Sequence, residues 1–334
     1  MWSPEGDELR KSNRRRLRRI RALSPFHAAV EVLQGPRSDI SVTNPEIDRS
    51  TEISSFWNRH MVRTDRFLSA WESSEYLEWR FAEYPQFREF MDLWGNHSGE
   101  VVLDYGCGPG NDTTGFAIYS GAQRVIGVDV SARALEVARD RLARHRVDPT
   151  RVSLIRVGEA EPSIPLDTAS VDYVHSAGVI HHTTSPDAVL AELARVLRVG
   201  GTARIMVYNG DSVWRHMYVV WTRMVNGDLS ELTPREAFRV CADCGAPESR
   251  YYEHHEFEAM CRAAGFEASY LGGYPSLHGE LDVTMSEIET ARQDDRLPAE
   301  SREFLERLTI DSSGYPMVDG YLAGLGGCYR LTRV

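Results

Sequence analysis

A chain of 334 residues, 42% hydrophobic and 26% charged, has the material for one large soluble domain or two smaller ones. Asp and Glu number 49 against 38 Lys and Arg, a formal charge of −11. That balance argues against an extended polyanion such as DNA or RNA and favours a small neutral or cationic partner. Five cysteines, an odd number, do not make a disulfide framework, and no secretory leader is recognisable, so a cytoplasmic protein is expected. The apolar stretch at 213–225 is broken by Arg215, His216 and Arg223, so no membrane span is expected.

In chain order, the basic run RKSNRRRLRRIR and the turn signals GPRSD and TNPE mark 1–45 as an arm. Over 46–98 large aromatics recur at helical spacings, among them Phe56, Trp57, Phe67, Trp71, Tyr76, Trp79 and Phe87. They predict two or three helices with broad apolar faces, placed as a lid. From 99 to 209 strand and helix patterns alternate with short links, which predicts a parallel sheet. The strands are EVVLD, RVIGVDV, VSLIRV, VDYVHSA and TARIMVYN. Ser131 and Ser185 stand as helix N-caps, with Pro186 at a first helical position and Gly200-Gly201 as a stop. Two insertions, 210–253 and an acidic, largely helical 276–322, form a cap around continued core at 254–275 and a last strand at 323–334. Insertions at strand ends carry specificity.

The strongest local signal is LDYGCGPGND: a strand ending in Asp104, then glycines at 106, 108 and 110, then a helix. Glycine lets backbone turn sharply and approach a ligand closely. The spacing is G-x-G-x-G preceded by an acid, not the dinucleotide pattern G-x-G-x-x-G. An acid there gives nothing to a pyrophosphate but can serve an amino group. The next strand ends in Asp129, placed to accept both hydroxyls of a ribose.

LDYGCGPGNDTTGFA, VIGVDVS, VGEAEPSIPLDTASVDYVHSAGVIHH and LRVGGTARIMVYN resemble successive motifs of class I S-adenosylmethionine (SAM)-dependent methyltransferases. The resemblance covers 100–209 in register and is similar to a bacterial small-molecule subgroup. It implies a Rossmann-like α/β fold of seven strands, SAM as cofactor and a small-molecule acceptor in a biosynthetic pathway. It also implies site residues. The backbone of Gly106, Cys107, Gly108 and Gly110 would lie against the methionine end and Asp104 near the amino group. Asp129, with Val130, would hold the ribose, Glu159 and Ala160 would flank adenine, and Ser176 and Ala177 would run beside the methionine part. Glu159 departs from the Asp more usual there.

Methyl transfer gains mostly from positioning, and a base is needed only for a protonated acceptor. His181 and His182, beyond the fourth strand, and Tyr208, ending the fifth, are the catalytic candidates. Trp57, Asn209 and Tyr252 are the candidates for substrate contact. Cys241 and Cys244 with His254, His255 and Cys261 are too irregular for a zinc site, and no metal is expected. Non-methylating chemistry on SAM, or SAM binding without turnover, would carry the same motifs, and a homo-oligomer is open.

Overall fold

A computed structural model describes residues 49–60, 67–158, 162–243 and 245–334. The basic arm at 1–45 therefore lies outside the described residues.

The aromatic segment forms three helices, α1 (Arg49–Arg59), α2 (Ala70–Glu83) and α3 (Phe87–Phe90). Ser69 caps α2 by accepting the Glu72 amide. Tyr76, Leu77, Trp79 and Phe87 are buried, whereas Trp71 is 67% exposed, so the aromatic run is only partly core.

The apolar runs then become parallel strands: β1 (Val101–Tyr105), β2 (Arg124–Asp129), β3 (Val152–Arg156), β4 (Val171–Ala177) and β5 (Leu197–Asn209). Between them run α4 (Asn111–Tyr119), α5 (Ala132–Arg144) and α6 (Pro186–Val196). Ser131 caps α5 through its hydroxyl; Ser185 precedes Pro186 as expected but makes no side-chain cap bond. β7 (Phe266–Tyr274) and β11 (Gly326–Arg333) complete the order β3-β2-β1-β4-β5-β11-β7, with β11 antiparallel to both neighbours. An eighth strand escaped the sequence reading: β6 (Tyr251–Tyr252) pairs two residues beside the end of β5.

Both faces of the sheet are covered. Leu103, Ile126 and Val174 pack with Leu190 and Leu193 of α6 and with Phe257 of α9 (His254–Ala263). Val102, Val125 and Tyr173 face Phe116 of α4 together with Phe87 and Met91. The alternation of neighbours such as Val102 and Leu103 between two cores is the period of a strand buried on both sides.

The insertions share a third core. A π-wound helix, α7 (Trp214–Val225), is followed by α8 (Pro234–Cys241). Met217, Val220 and Trp221 of α7 pack against Ile288, Leu297, Phe304 and Leu305 of the second insertion, where α10 (Ala299–Arg307) lies. The second insertion is less uniformly helical than its composition suggests. It also holds a three-stranded antiparallel sheet, β8 (Thr309–Ile310), β9 (Pro316–Val318) and β10 (Tyr321–Leu322). No helix among the described residues is long and apolar enough to cross a membrane.

The chain order reverses beside β1, whose neighbours are β2 on one side and β4 on the other. In open α/β sheets ligands bind outside the carboxyl ends of strands at that switch point.

Candidate active site

Past β1 the chain turns through Gly106 (φ 75), Gly108 (φ 51) and Gly110 (φ 77) directly into α4. A Cβ on Gly106 would stand 2.2 Å from Val179 Cγ2, and one on Gly110 2.8 Å from Ala138 Cβ, so both positions demand glycine for space as well as for backbone. The amides of Gly106 and Cys107 both donate to Val128 O, at 2.8 and 2.9 Å, folding the loop onto the tip of β2. Asp129 then fastens it: its Oδ2 accepts the Gly108 amide at 2.8 Å and its Oδ1 the Ser131 amide at 2.7 Å. Burial pushes the Asp129 carboxyl up, and these amides oppose the shift. Ser131 also donates its hydroxyl to Asn58 Oδ1 at 2.9 Å, which brings α1 to the end of β2.

Asp104 is buried, 3% exposed, and belongs to a polar network. It accepts from the Thr113 hydroxyl at 2.5 Å. Burial pushes it up to about 6, against the pull of His175, its register partner on β4. His175 Nε2 lies 3.1 Å from Asp112 Oδ2, and Arg80 of α2 grips the same carboxylate with both terminal nitrogens, at 2.6 and 3.1 Å. Burial works to raise the Asp112 pKa, but the Arg80 charge and the His175 bond overcome it and hold the carboxyl well below the usual range. The network ties α2 to the first turn of α4.

A second cluster forms at the ends of β4 and β5. After β4 the chain makes a single 3-10 turn, Ile180–His182, which buries both histidines. His181 stacks on the Tyr208 ring, centroids 3.8 Å apart, and its Nδ1 accepts the Tyr208 amide at 3.2 Å. Burial lowers its pKa well below that of a free imidazole, so it is neutral. His182 meets the Glu248 carbonyl through Nδ1 at 2.6 Å and Asp243 Oδ2 through Nε2 at 2.8 Å. The Tyr208 hydroxyl donates to the same Oδ2. Burial would raise the Asp243 pKa; His182 and Tyr208 together bring it below the ordinary value. Trp57 of α1 sets its ring edge-on to His182, centroids 4.9 Å apart.

This geometry agrees with what known proteins share with the chain. The methyltransferase domain family matches residues 103–205. A probable methyltransferase, ltbC of Aspergillus luteorubrus, is 30% identical over 200 residues, 58% of this chain and 65% of that protein. The ubiquinone/menaquinone biosynthesis C-methyltransferase UbiE of Xylella fastidiosa is 30% identical over 189 residues, 55% of this chain and 71% of its own length. The chain belongs to the class I SAM-dependent methyltransferases. A 37.1 kDa protein of a Streptomyces fradiae transposon is 36% identical over 112 residues, 33% of this chain, but the match spans only 31% of that protein. Geranyl diphosphate C-methyltransferase from Streptomyces coelicolor A3(2) has the same fold, with TM-score 0.51 and 15% identity over 87% of this chain and 100% of that one.

SAM is the cofactor of this family, and the switch-point site fits it. The loop offers a backbone surface free of side chains, and at Gly108 an added Cβ would meet nothing within 4 Å. Gly110 caps α4 without a side-chain acceptor, and the Ser176 hydroxyl at the end of β4 is buried without a partner among the described residues. Val130 and Ala177 are half-buried at neighbouring strand ends. Cys107 is buried and its thiol is pushed far up by burial, so it serves the loop as packing. Glu159 and Ala160 lie outside the described residues.

Asn209 must be read differently from a substrate contact. It is fully buried; its Nδ2 donates to Asp211 O at 2.7 Å and Gly324 O at 3.0 Å, and its Oδ1 accepts the Asp211 amide at 3.2 Å. That amide is occupied in holding β5 to the turn before β11. Tyr252 is buried against Phe257, with its hydroxyl unpartnered. Of the cysteine–histidine set, Cys244 lies outside the described residues and Cys261 is fully buried in α9. The residues missed from sequence are Asn58, Arg80, Asp112, His175 and Asp243. Asp112 stood inside the glycine motif, and its place in the first turn of α4 was the available signal.

Proposed function

We propose that this protein transfers the methyl group of SAM to a small-molecule acceptor in a biosynthetic pathway. The observation that carries the reading is adjacency. The glycine loop and Asp129 end β1 and β2, the histidine–tyrosine cluster ends β4 and β5, and α1 touches both, through Asn58 at Ser131 and Trp57 at His182. A site covered by a helix and a cap insertion suits a small acceptor better than a macromolecule.

SAM, when bound, supplies a methyl group activated on a sulfonium. The chain's own work is to bind and orient. Asp129 holds the loop and stands where ribose hydroxyls donate; the buried Ser176 hydroxyl faces the need for a partner that the methionine part meets. In this reading Trp57 shields the reacting centre from water, and Tyr208 backs His181 by stacking on it. His181, neutral and fixed by the Tyr208 amide, orients the acceptor.

Thermal unfolding with SAM, S-adenosylhomocysteine or NAD tests the donor half: a ligand at a hundred times its Kd stabilises by about 2.7 kcal/mol. Shifts with the two adenosyl-sulfur compounds and none with NAD are expected. Methyl-labelled SAM incubated with the protein and a cell extract tests the acceptor half. Label is expected in low-mass products, and label confined to RNA or protein would refute a small-molecule acceptor.

A further inference from the structure

Asp243 follows α8 in a turn and carries a left-handed backbone, φ 40, unusual for a residue with a side chain. Both of its donors, His182 Nε2 and the Tyr208 hydroxyl, meet one oxygen, Oδ2. Among the described residues no donor meets Oδ1. His181 carries a second unfilled position. Because His181 Nδ1 accepts the Tyr208 amide, the ring hydrogen sits on Nε2, which is buried and has no partner among the described residues. Buried donors without partners are rare and call for one.

A ring nitrogen of each histidine and a carboxylate oxygen of Asp243 lie within 4.8 Å of one another, a spacing that two kinds of ligand could use. A metal ion needs imidazole lone pairs. A metal would have to displace bonds already made: the His181 lone pair is held by the Tyr208 amide, and both nitrogens of His182 are already hydrogen-bonded to oxygens. A single oxygen atom fits better. One atom hydrogen-bonded to both sides, at about 2.8 Å each, can bridge groups up to about 5 Å apart. That atom must accept from His181 Nε2–H and donate to Asp243 Oδ1. Ethers, carbonyls and carboxylates only accept, and ammonium groups only donate; a hydroxyl does both.

We infer that His181 Nε2–H and Asp243 Oδ1 together form the binding site for a hydroxyl group of the acceptor. The inference rests on the methyl-transfer reading and names the substrate class within it: a hydroxylated compound, seated beside the rings of Trp57 and Tyr208.

The test uses the full chain saturated with S-adenosylhomocysteine and two probes, phenol and the size-matched fluorobenzene, titrated by ligand-observed NMR. Phenol is expected to bind at least tenfold more tightly. Asp243→Asn keeps an oxygen for His182 and Tyr208 and tolerates the left-handed backbone, but turns Oδ1 into a donor. Its Tm and its affinity for S-adenosylhomocysteine should stay near those of the parent while the preference for phenol disappears. His181→Phe, which keeps a ring against Tyr208, should lose it too. Equal binding of the two probes by the parent, an undiminished preference in Asp243→Asn, or a stoichiometric metal that the variant loses would each overturn the inference. Failure of S-adenosylhomocysteine itself to bind is a separate result; it would overturn the methyl-transfer reading and this inference with it.

Discussion

Replacing Asp129 tests the donor site, and the structure changes what the replacement should do. The carboxylate holds two amides, Gly108 at 2.8 Å and Ser131 at 2.7 Å, so alanine removes the anchor of the glycine loop along with the proposed ribose contact. Hydrogen bonds to a charged group contribute about 1.5–3 kcal/mol each, so the two come to about 3–6 kcal/mol. Against that stands relief of a buried charge, the effect that pushes this carboxyl up. A net loss of about 2–4 kcal/mol is expected for Asp129→Ala. Asparagine keeps one oxygen for one amide and opposes the other with its own donor, for a loss of about 1–3 kcal/mol. Ribose hydroxyls lose a charged acceptor in both variants, so SAM should bind about 10- to 100-fold more weakly to Asp129→Asn and at least about 100-fold more weakly to Asp129→Ala. Calorimetry supplies both readouts, unfolding for stability and titration for SAM. Thr233→Ala is the control: it breaks the capping box of α8, costs about 1 kcal/mol and should leave SAM affinity alone. Full stability and SAM affinity within about twofold of the parent in Asp129→Ala would refute both roles, since the loss of even one such bond exceeds that margin.

Arg80→Met leaves Asp112 buried with only His175 beside it and should cost about 3–5 kcal/mol of stability. Asp112→Asn in the same chain should recover part of that loss in a double-mutant cycle, and strict additivity would refute the pairing. Gly106→Ala combines φ 75 with a Cβ 2.2 Å from Val179. It should cost about 1–2 kcal/mol for the backbone and about 1–3 more for overpacking; adding Val179→Ala should restore most of the second part and none of the first, as read by denaturant unfolding. Burial pushes Glu280 up to about 8 from an ordinary 4.5, against the amides of Leu325, Ser276 and Trp214. The folded protein then holds the extra proton between those values, so this group's contribution to stability falls as pH rises from about 5 to about 8 and levels off above. Glu280→Gln should flatten that part of the Tm profile; an identical profile in the variant would rule out the assignment.

Periodicity and punctuation made the Rossmann-like half legible. Val101 to Tyr105, Arg124 to Asp129 and Val171 to Ala177 are apolar runs bounded by turns, and the Ser131 cap follows from local chemistry alone. The π-winding of α7 and the two-residue β6 were not legible, because both depend on what packs beside them. Asp243 shows the same limit more sharply. Within CADCGAPES it is one acid in a turn, and only the closure of the first insertion onto β4 and β5 puts its Oδ2 against His182 and Tyr208. Asn209 errs the other way: its motif position suggests an edge residue free for substrate, but the return of β11 beside β5 occupies its amide.

Buried polar contacts fasten the two insertions to each other, and Glu280 ties them to the last core segment. Arg215 of α7, buried to 2%, donates to Glu253 at 2.7 Å and to Glu300 of α10, and lies 4.1 Å over the Tyr251 ring. Glu280 accepts amides from Trp214, Ser276 and Leu325, joining the start of α7 to the chain before β11. Removing Arg215, the buried member of this arrangement, should cost several kcal/mol, so the two insertions are expected to move as one. α1 is held differently. Asn58 accepts from Ser131 and from the half-exposed Arg133 amide, and Trp57 rests edge-on against His182. Neutral contacts of this kind contribute about 1 kcal/mol each. If a ligand enters between Asp129 and His182, this asymmetry predicts that Asn58 and Trp57 give way first, while the contacts of Arg215 and Glu280 hold the two insertions together.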